Sequence, residues 1–337
     1  MLPPMSALLV HDGILDGLIT STPLLRVLAR RSGAPVDVLS TSPVAPVLYA
    51  QLPFVGSVQV WRQRWLPIWL STEKRATLAW LRQRADAGLV LLTARPYGHL
   101  LGRAGLAVTA ACGSHLLPRR EDEHTVLHQL NIAACTPDGQ DWDALRERDL
   151  NPLLELRVSQ AEQADCHGWL QELGLATQQL LVVQPFDDQG RMAWPTSRWR
   201  QVINGLLQQE TATTVLLLGS AGVPKWARDF SPERVRALSP QPLLRRLLAL
   251  LAQARACLTV ASSTAQLAAA VACPVVALFG ATDPRVYRPM GPAVEVVTPL
   301  PMAQVPAGTT AWGRLCRLNG ISPSAVLMAY GRLAGQR

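Results

Sequence analysis

Short apolar runs alternate along the chain with stretches whose apolar residues recur every three or four positions. The runs read as buried strands at 7–10, 36–39, 58–61, 89–93 and 106–109, and then at 180–184, 215–219, 235–238, 256–260 and 275–279. Helical patterns lie between them at 23–31, 44–51, 72–83 and 124–134, and later at 198–209, 242–254 and 264–271. Strand–helix alternation carried through twice predicts an α/β protein of two domains, each on a parallel sheet. A further helical stretch, 161–173, ends at Gly174 just before the second set of strands. That places residues 1–172 in the first domain and 173–337 in the second. A final helix, running from Ser322 to Leu333 behind a Gly320-Ile-Ser-Pro turn, is expected to pack back on the first domain.

The opening unit carries the most information. Ala7 to Val10 reads as a strand, followed by a glycine-bearing loop. Thr22 stands where an N-cap belongs, Pro23 fits the first helical position, and Leu24, Leu25, Val27 and Leu28 follow at helical spacing. Strand, glycine loop and capped helix open many nucleotide-binding α/β layouts. Such sheets bind ligands at the carboxyl ends of their strands, so the loop bearing Asp12 and Asp16 is the candidate chemical site. It does not make a dinucleotide fingerprint: His11-Asp-Gly-Ile-Leu-Asp-Gly17 has two glycines at the wrong spacing for an NAD-linked dehydrogenase.

A chain of 337 residues suits two domains, and 49% apolar with 17% charged residues excludes a disordered one. No apolar run is long enough to span a bilayer, and the first residues lack the basic segment of a signal peptide. Six scattered cysteines without a C-x-x-C pair predict reduced thiols, a cytoplasmic protein and no structural zinc. The net charge of +8, almost all from arginine, points to an anionic partner. The absence of a zinc-finger or RNA-recognition signature turns that partner away from nucleic acid. Trp61 to Leu70, with Lys74, Arg75, Trp80, Arg82 and Arg84 beyond, is the most basic and aromatic stretch. It reads either as a dock for an acidic membrane or as a helix core with a solvated basic face.

Several segments together resemble one family. Gly13-Ile-Leu-Asp16-Gly17-Leu-Ile-Thr-Ser-Thr-Pro23 is similar to the G-x-x-G-D-x-L-x-T-T-P opening of bacterial heptosyltransferases, glycosyltransferase family 9. Ala193-Trp-Pro-Thr-Ser-Arg-Trp199 resembles its W-P-x-x-x-W segment, and Val260-Ala-Ser-Ser-Thr-Ala-Gln-Leu-Ala-Ala-Ala270 its D-(S/T)-G-x-x-H-L-A-A-A helix start. Pro274 to Pro284 resembles its strand and G-x-T-D-P turn, with Tyr287 and Gly291 beyond. Cys316 with Gly320-Ile-Ser-Pro-Ser-Ala-Val326 resembles its last helix. The matches run in order over nearly the whole chain. They imply a GT-B fold, two Rossmann-like domains facing a cleft, with the acceptor on the first and the nucleotide-sugar on the second. They further imply inverting transfer of a sugar, ADP-heptose being the expected donor, onto a lipopolysaccharide core or other anionic envelope glycolipid. The protein would work in the cytoplasm, in peripheral contact with the inner membrane, without cofactor or metal.

The departures fall on the active positions. The family's loop aspartate, its general base, aligns with Gly17, while the carboxylate here is one place earlier at Asp16. Its donor-contact aspartate aligns with Ala261, the glycine beyond with Ser263, the histidine with Gln266, and a lysine with Met192. Asp16 is the candidate base, and the alternative for it is a turn or helix cap. His11, Asp12 and Gly13 are candidates for the acceptor. Ser262, Ser263 and Thr264, before an alanine-rich helix and after a central strand end, are read as candidates for the donor diphosphate, with plain N-capping as the alternative. Arg191 stands nearest the missing lysine, and Gln266, Thr282 and Asp283 complete the donor set. Asp187 and Asp188 would bind sugar hydroxyls or cap a turn. The same departures favour a second reading, a catalytically impaired paralogue that binds an acceptor or a partner enzyme.

Overall fold

The computed structural model describes residues 6–11, 13–61, 67–87, 89–92, 98–108, 110–111, 121–134, 151–175, 179–186, 194–219, 222–305 and 309–335. By its internal contacts the chain divides into two units, Met1–Pro152 and Leu153–Arg337.

The first unit is built on a parallel sheet ordered β3-β2-β1-β4-β5, with β1 Ala7–His11, β2 Val36–Ser40, β3 Val55–Val60, β4 Leu89–Leu92 and β5 Ala110–Ala111. All five residues of β1 are buried. Helices cover both faces of a parallel sheet, which is why its central strand is an unbroken apolar run. Among the described residues its helices are α1 Leu15–Thr20, α2 Thr22–Ser32, α3 Ala45–Tyr49, α4 Thr72–Arg82, α5 Gly98–Ala104 and α6 Thr125–Ala134. In the basic aromatic stretch, Trp61, Ile68 and Trp80 pack against the core of Leu8, Leu78, Leu81 and Leu101. Lys74 lies over the Trp61 ring and Arg84 over that of Trp80, at 5.5 and 3.7 Å from the centroids. Trp61 and Trp80 are thus partly buried against this core; Trp65 and the side chain of Trp69 lie outside the described residues.

The second unit has a six-stranded parallel sheet ordered β11-β10-β9-β6-β7-β8. Its strands are β6 Gln179–Gln184, β7 Thr213–Leu218, β8 Val235–Leu238, β9 Ala256–Val260, β10 Val275–Leu278 and β11 Val294–Val297. Its helices are α7 Gln160–Glu172, α8 Thr196–Gln209, α9 Val223–Ala227, α10 Leu244–Gln253, α11 Ser263–Ala270, α12 Pro284–Tyr287, α13 Thr309–Leu315 and α14 Pro323–Ala334. Trp194 and Trp199, both fully buried, meet edge to face with centroids 5.0 Å apart, in a core shared with Leu181, Val183, Val215 and Leu217.

The division falls about twenty residues before the boundary read from the sequence. The cause is α7, which packs on α10 and is tied to it by the Arg245–Glu162 and Arg246–Asp165 ion pairs. The final helix α14, capped by Ser322 with Pro323 at its first position, packs on α8, β10 and β11 of its own unit. Gly205 of α8 lets Leu327 of α14 come close: a Cβ there would lie 2.7 Å from the leucine's Cδ1, which would have to turn aside. β11 was missed because Glu295 interrupts a short edge strand that is half exposed.

Candidate functional site

In each sheet the first strand is central, and the strand order reverses direction beside it. Ligands of open α/β sheets bind beyond the carboxyl ends at that switch point, between β1 and β4 in the first unit and between β6 and β9 in the second.

In the first unit β1 delivers His11, which is 1% exposed. Its Nδ1 accepts the Gly13 backbone N–H at 3.0 Å, so that nitrogen carries no proton and the ring holds its hydrogen on Nε2. Gly13 has a φ of +86°, and a Cβ there would overlap Thr41 Oγ1 and lie 2.6 Å from the Ser42 nitrogen. Only glycine fits, and the bend presses the turn after β1 against the one after β2. Asp12 lies outside the described residues.

The chain does not stay a loop up to Thr22. α1 begins at Leu15, and Asp16 sits in its first turn with Oδ1 buried, where a carboxylate complements the helix dipole. Thr22 is inside α2 rather than its N-cap. Pro23 has no N–H for the carbonyl four residues back, and three successive hydroxyls answer the carbonyls of α1 instead. Thr20 donates to Gly17, Ser21 to Leu18 and Thr22 to Ile19, at 3.2, 2.8 and 2.9 Å. The Thr-Ser-Thr-Pro sequence is thus a joint between two helices. Tyr49, which the sequence did not single out, reaches the same joint with its hydroxyl 2.8 Å from the Leu18 oxygen.

In the second unit β9 runs out through Ala261 to Ser262, the N-cap of α11. The Ser262 hydroxyl makes no cap: it lies 3.0 Å from Thr259 Oγ1 and is buried. α11 therefore opens at the switch point on backbone amides, with Ser263 half-buried and Thr264 buried beside them. Every residue of α11 from Thr264 to Ala270 is buried, which accounts for its alanines. Gln266 donates Nε2 to the Tyr287 carbonyl at 2.9 Å, while its buried Oε1 has no partner among the described residues. Gly291 lies so close to Ala269 that a Cβ would meet the alanine's own at 2.9 Å.

The turn after β10 splits the candidates Thr282 and Asp283. Thr282 is exposed. Asp283 is 1% exposed, caps α12 through the Arg285 N–H at 2.9 Å, and takes the Arg285 guanidinium on both oxygens. Arg285 also donates to the Val305 carbonyl and lies over the Trp312 ring, whose Nε1 donates to Gly280 O at 2.7 Å. Asp283 is thus a structural residue that shapes the turn, and its spacing to Arg285 in Asp-Pro-Arg was the readable sign. Arg191, Met192, Asp187 and Asp188 lie outside the described residues. Arg198, on α8, is spent on the carbonyls of Asn319 and Ile321.

The family model described as glycosyltransferase family 9 (heptosyltransferase) matches residues 104–306. The chain belongs to glycosyltransferase family 9. No curated protein sequence matches it. Among solved structures, Escherichia coli ADP-heptose lipopolysaccharide heptosyltransferase II is similar with a TM-score of 0.73 and 19% identity, over 98% of this chain and 99% of that one. A family 9 glycosyltransferase from Veillonella parvula gives 0.72 and 15%, over 98% of both chains. E. coli heptosyltransferase WaaC with ADP gives 0.64 and 17%, over 98% of this chain and all of that one. At such identities the likeness speaks for the fold, and it is the GT-B fold of two Rossmann-like units. As a member of family 9, the chain is of the glycosyl-transfer class.

Proposed function

We propose that this family 9 member is an inverting glycosyltransferase that moves a heptose from ADP-heptose to a lipopolysaccharide core or another envelope glycan. It does so in the cytoplasm, in peripheral contact with the inner membrane. The observation that carries the reading is the amide-led start of α11 at the switch point of the second sheet. A helix N-terminus stabilises a diphosphate by its dipole and its N–H groups. An E. coli relative of the same fold has been solved with ADP.

In this reading an acceptor hydroxyl attacks the anomeric carbon of the donor and the bond from that carbon to the diphosphate oxygen breaks. The electron pair leaves with ADP, whose new charge is met by the α11 amides and by Arg191. The hydroxyl proton passes to Asp16, the half-buried carboxylate at the carboxyl end of β1. His11, Asp12 and Gly13, a few residues earlier in the chain, are the acceptor contacts in this reading, and the net charge of +8 suits an anionic glycolipid.

A second reading, a binding protein without turnover, is favoured by Ala261 and Gly17, which stand where the family pattern has aspartates. Calorimetric titration with ADP-heptose, UDP-glucose and NAD, alongside ADP release in the presence of heptose-deficient core lipopolysaccharide, separates the two. The proposal expects ADP-heptose to bind and ADP to accumulate only with acceptor. Binding with no release supports the second reading, and no sugar-nucleotide binding ends the enzyme reading.

A further inference from the structure

We infer that Tyr49 is a positioning residue for Asp16, acting through the backbone of α1. The inference rests on Asp16 being the base proposed above. Tyr49 closes α3 and is 2% exposed; Ser21, between α1 and α2, is fully buried. Tyr49 Oη lies 2.8 Å from the Leu18 carbonyl oxygen and 2.9 Å from Ser21 Oγ, which itself lies 2.8 Å from the same carbonyl. Two hydroxyl protons make two of these three contacts hydrogen bonds at any one time. When the phenol donates to the Leu18 carbonyl, Ser21 donates to that carbonyl or to Tyr49 Oη, and the tie from α3 to α1 needs the phenol protonated. Burial pushes its pKa up and keeps the proton in place.

α1 needs such a hold. A helix of six residues is far below the length that persists by itself, and its exit is broken by Pro23. The hydroxyls of Thr20, Ser21 and Thr22 satisfy the carbonyls of α1, but they belong to its own continuation and turn with it. Tyr49 comes from a separate helix, 31 residues from Leu18 in sequence, and ties α1 to the β2–α3 side of the unit. At the opposite end Gly13 is wedged against Thr41 and Ser42, on the same side. Asp16 lies between these two fixed points, two residues before Leu18. A base displaced by about 1 Å can lose on the order of a hundredfold in rate.

Tyr49→Phe keeps the ring in the core and removes only the donor. With ADP-heptose and heptose-deficient core lipopolysaccharide, kcat should fall by roughly tenfold to a hundredfold, with KM for the donor and ADP affinity unchanged. In the double variant with Asp16→Asn, the loss should equal that of Asp16→Asn alone, because the tyrosine acts only through that carboxylate. The carboxyl carbon of Asp16, followed by NMR in labelled protein over a pH series, should move in chemical shift in Tyr49→Phe, a signature that needs no turnover. If Tyr49→Phe does not fold, Ser21→Ala removes one of the two hydroxyls on the Leu18 carbonyl and should shift kcat and the Asp16 resonance in the same direction, by less. An Asp16 resonance unmoved in the variant overturns the inference, and so do losses that add in the double variant. Full turnover in Asp16→Asn alone would instead sink the base assignment, which distinguishes the two failures.

Discussion

The carboxylate of Glu162 receives Arg245 on both oxygens, Nε at 2.6 Å and Nη2 at 2.7 Å. The same carboxylate accepts the Ser159 N–H at 2.8 Å and its hydroxyl at 2.9 Å, closing a capping box at the start of α7. One side chain thereby starts a helix and fastens it to α10. The Arg245 hydrogen bonds, ahead of those from Ser159, hold the Glu162 pKa down at about 2. A carboxyl with a lowered folded pKa stabilises the fold above its ordinary range, and the contribution disappears as pH falls from about 4.5 towards 2. Glu162→Gln should therefore cost on the order of 1–2 kcal/mol at pH 7, a figure already reduced for solvent screening. Melting temperatures of both proteins from pH 7 to pH 2 should converge towards the acid end. A gap that stays constant with pH would mean that the charge is not what holds α7.

Asp16→Asn should leave ADP binding nearly unchanged and lower turnover by roughly two to four powers of ten. Asp12→Asn should do much less. Calorimetry with ADP beside a turnover assay reads both, and an Asp16→Asn protein at full speed would reduce the residue to a helix-dipole partner.

Gly13→Ala should damage both stability and turnover. An alanine at a φ of +86° is strained, and its methyl would overlap Thr41 and Ser42. The cost should be about 2 kcal/mol or more, seen as a lower urea midpoint. Gly33→Ala makes the control: its φ of +68° is also left-handed, but nothing lies within 4 Å of its Cβ. The difference between the two variants isolates the wedge from the backbone strain.

Ser263→Pro tests the diphosphate site without dismantling the helix. Ser263 is the first residue of α11, where proline is at home, and Ser262 before it is already extended, with φ −159° and ψ 164°. The substitution removes one amide N–H from the switch point. ADP affinity should fall by roughly tenfold to a hundredfold, the loss of one charge-assisted hydrogen bond, while the melting temperature holds. Ser262→Ala should matter far less, because that hydroxyl is turned to Thr259. Unchanged ADP affinity in Ser263→Pro would move the phosphate away from α11.

Much of the fold was legible because parallel strands buried on both faces leave unbroken apolar runs. The Ala7–Val10 run of β1 and the Val215–Leu218 run of β7 cannot be hidden. The site was harder to read, for a physical reason. A serine or threonine hydroxyl near a helix end bonds forward to an amide, backward to a carbonyl or sideways to a neighbour, and residue type does not say which. Thr22 was expected to cap forward and bonds back to Ile19; Ser262 was expected to face phosphate and faces Thr259. Asp283 was readable in another sense, since an aspartate before Pro284 and Arg285 is a capping pattern. Tyr49 had no local signal at all, because its partner is 31 residues away.

The two sheets share one further property. Among the described residues all their strand pairings are parallel, so the segments leaving their carboxyl ends gather on a single rim of each. Gly17, Ala261, Ser263 and Gln266, four of the positions at which this chain leaves its family's pattern, lie in or beside the first helices that leave β1 and β9. The ladders beneath them hydrogen-bond through the main chain and are indifferent to such changes. A lineage built this way can rewrite what it handles while its folding goes on undisturbed. Descent is then recorded in the strands, and trade in the rims.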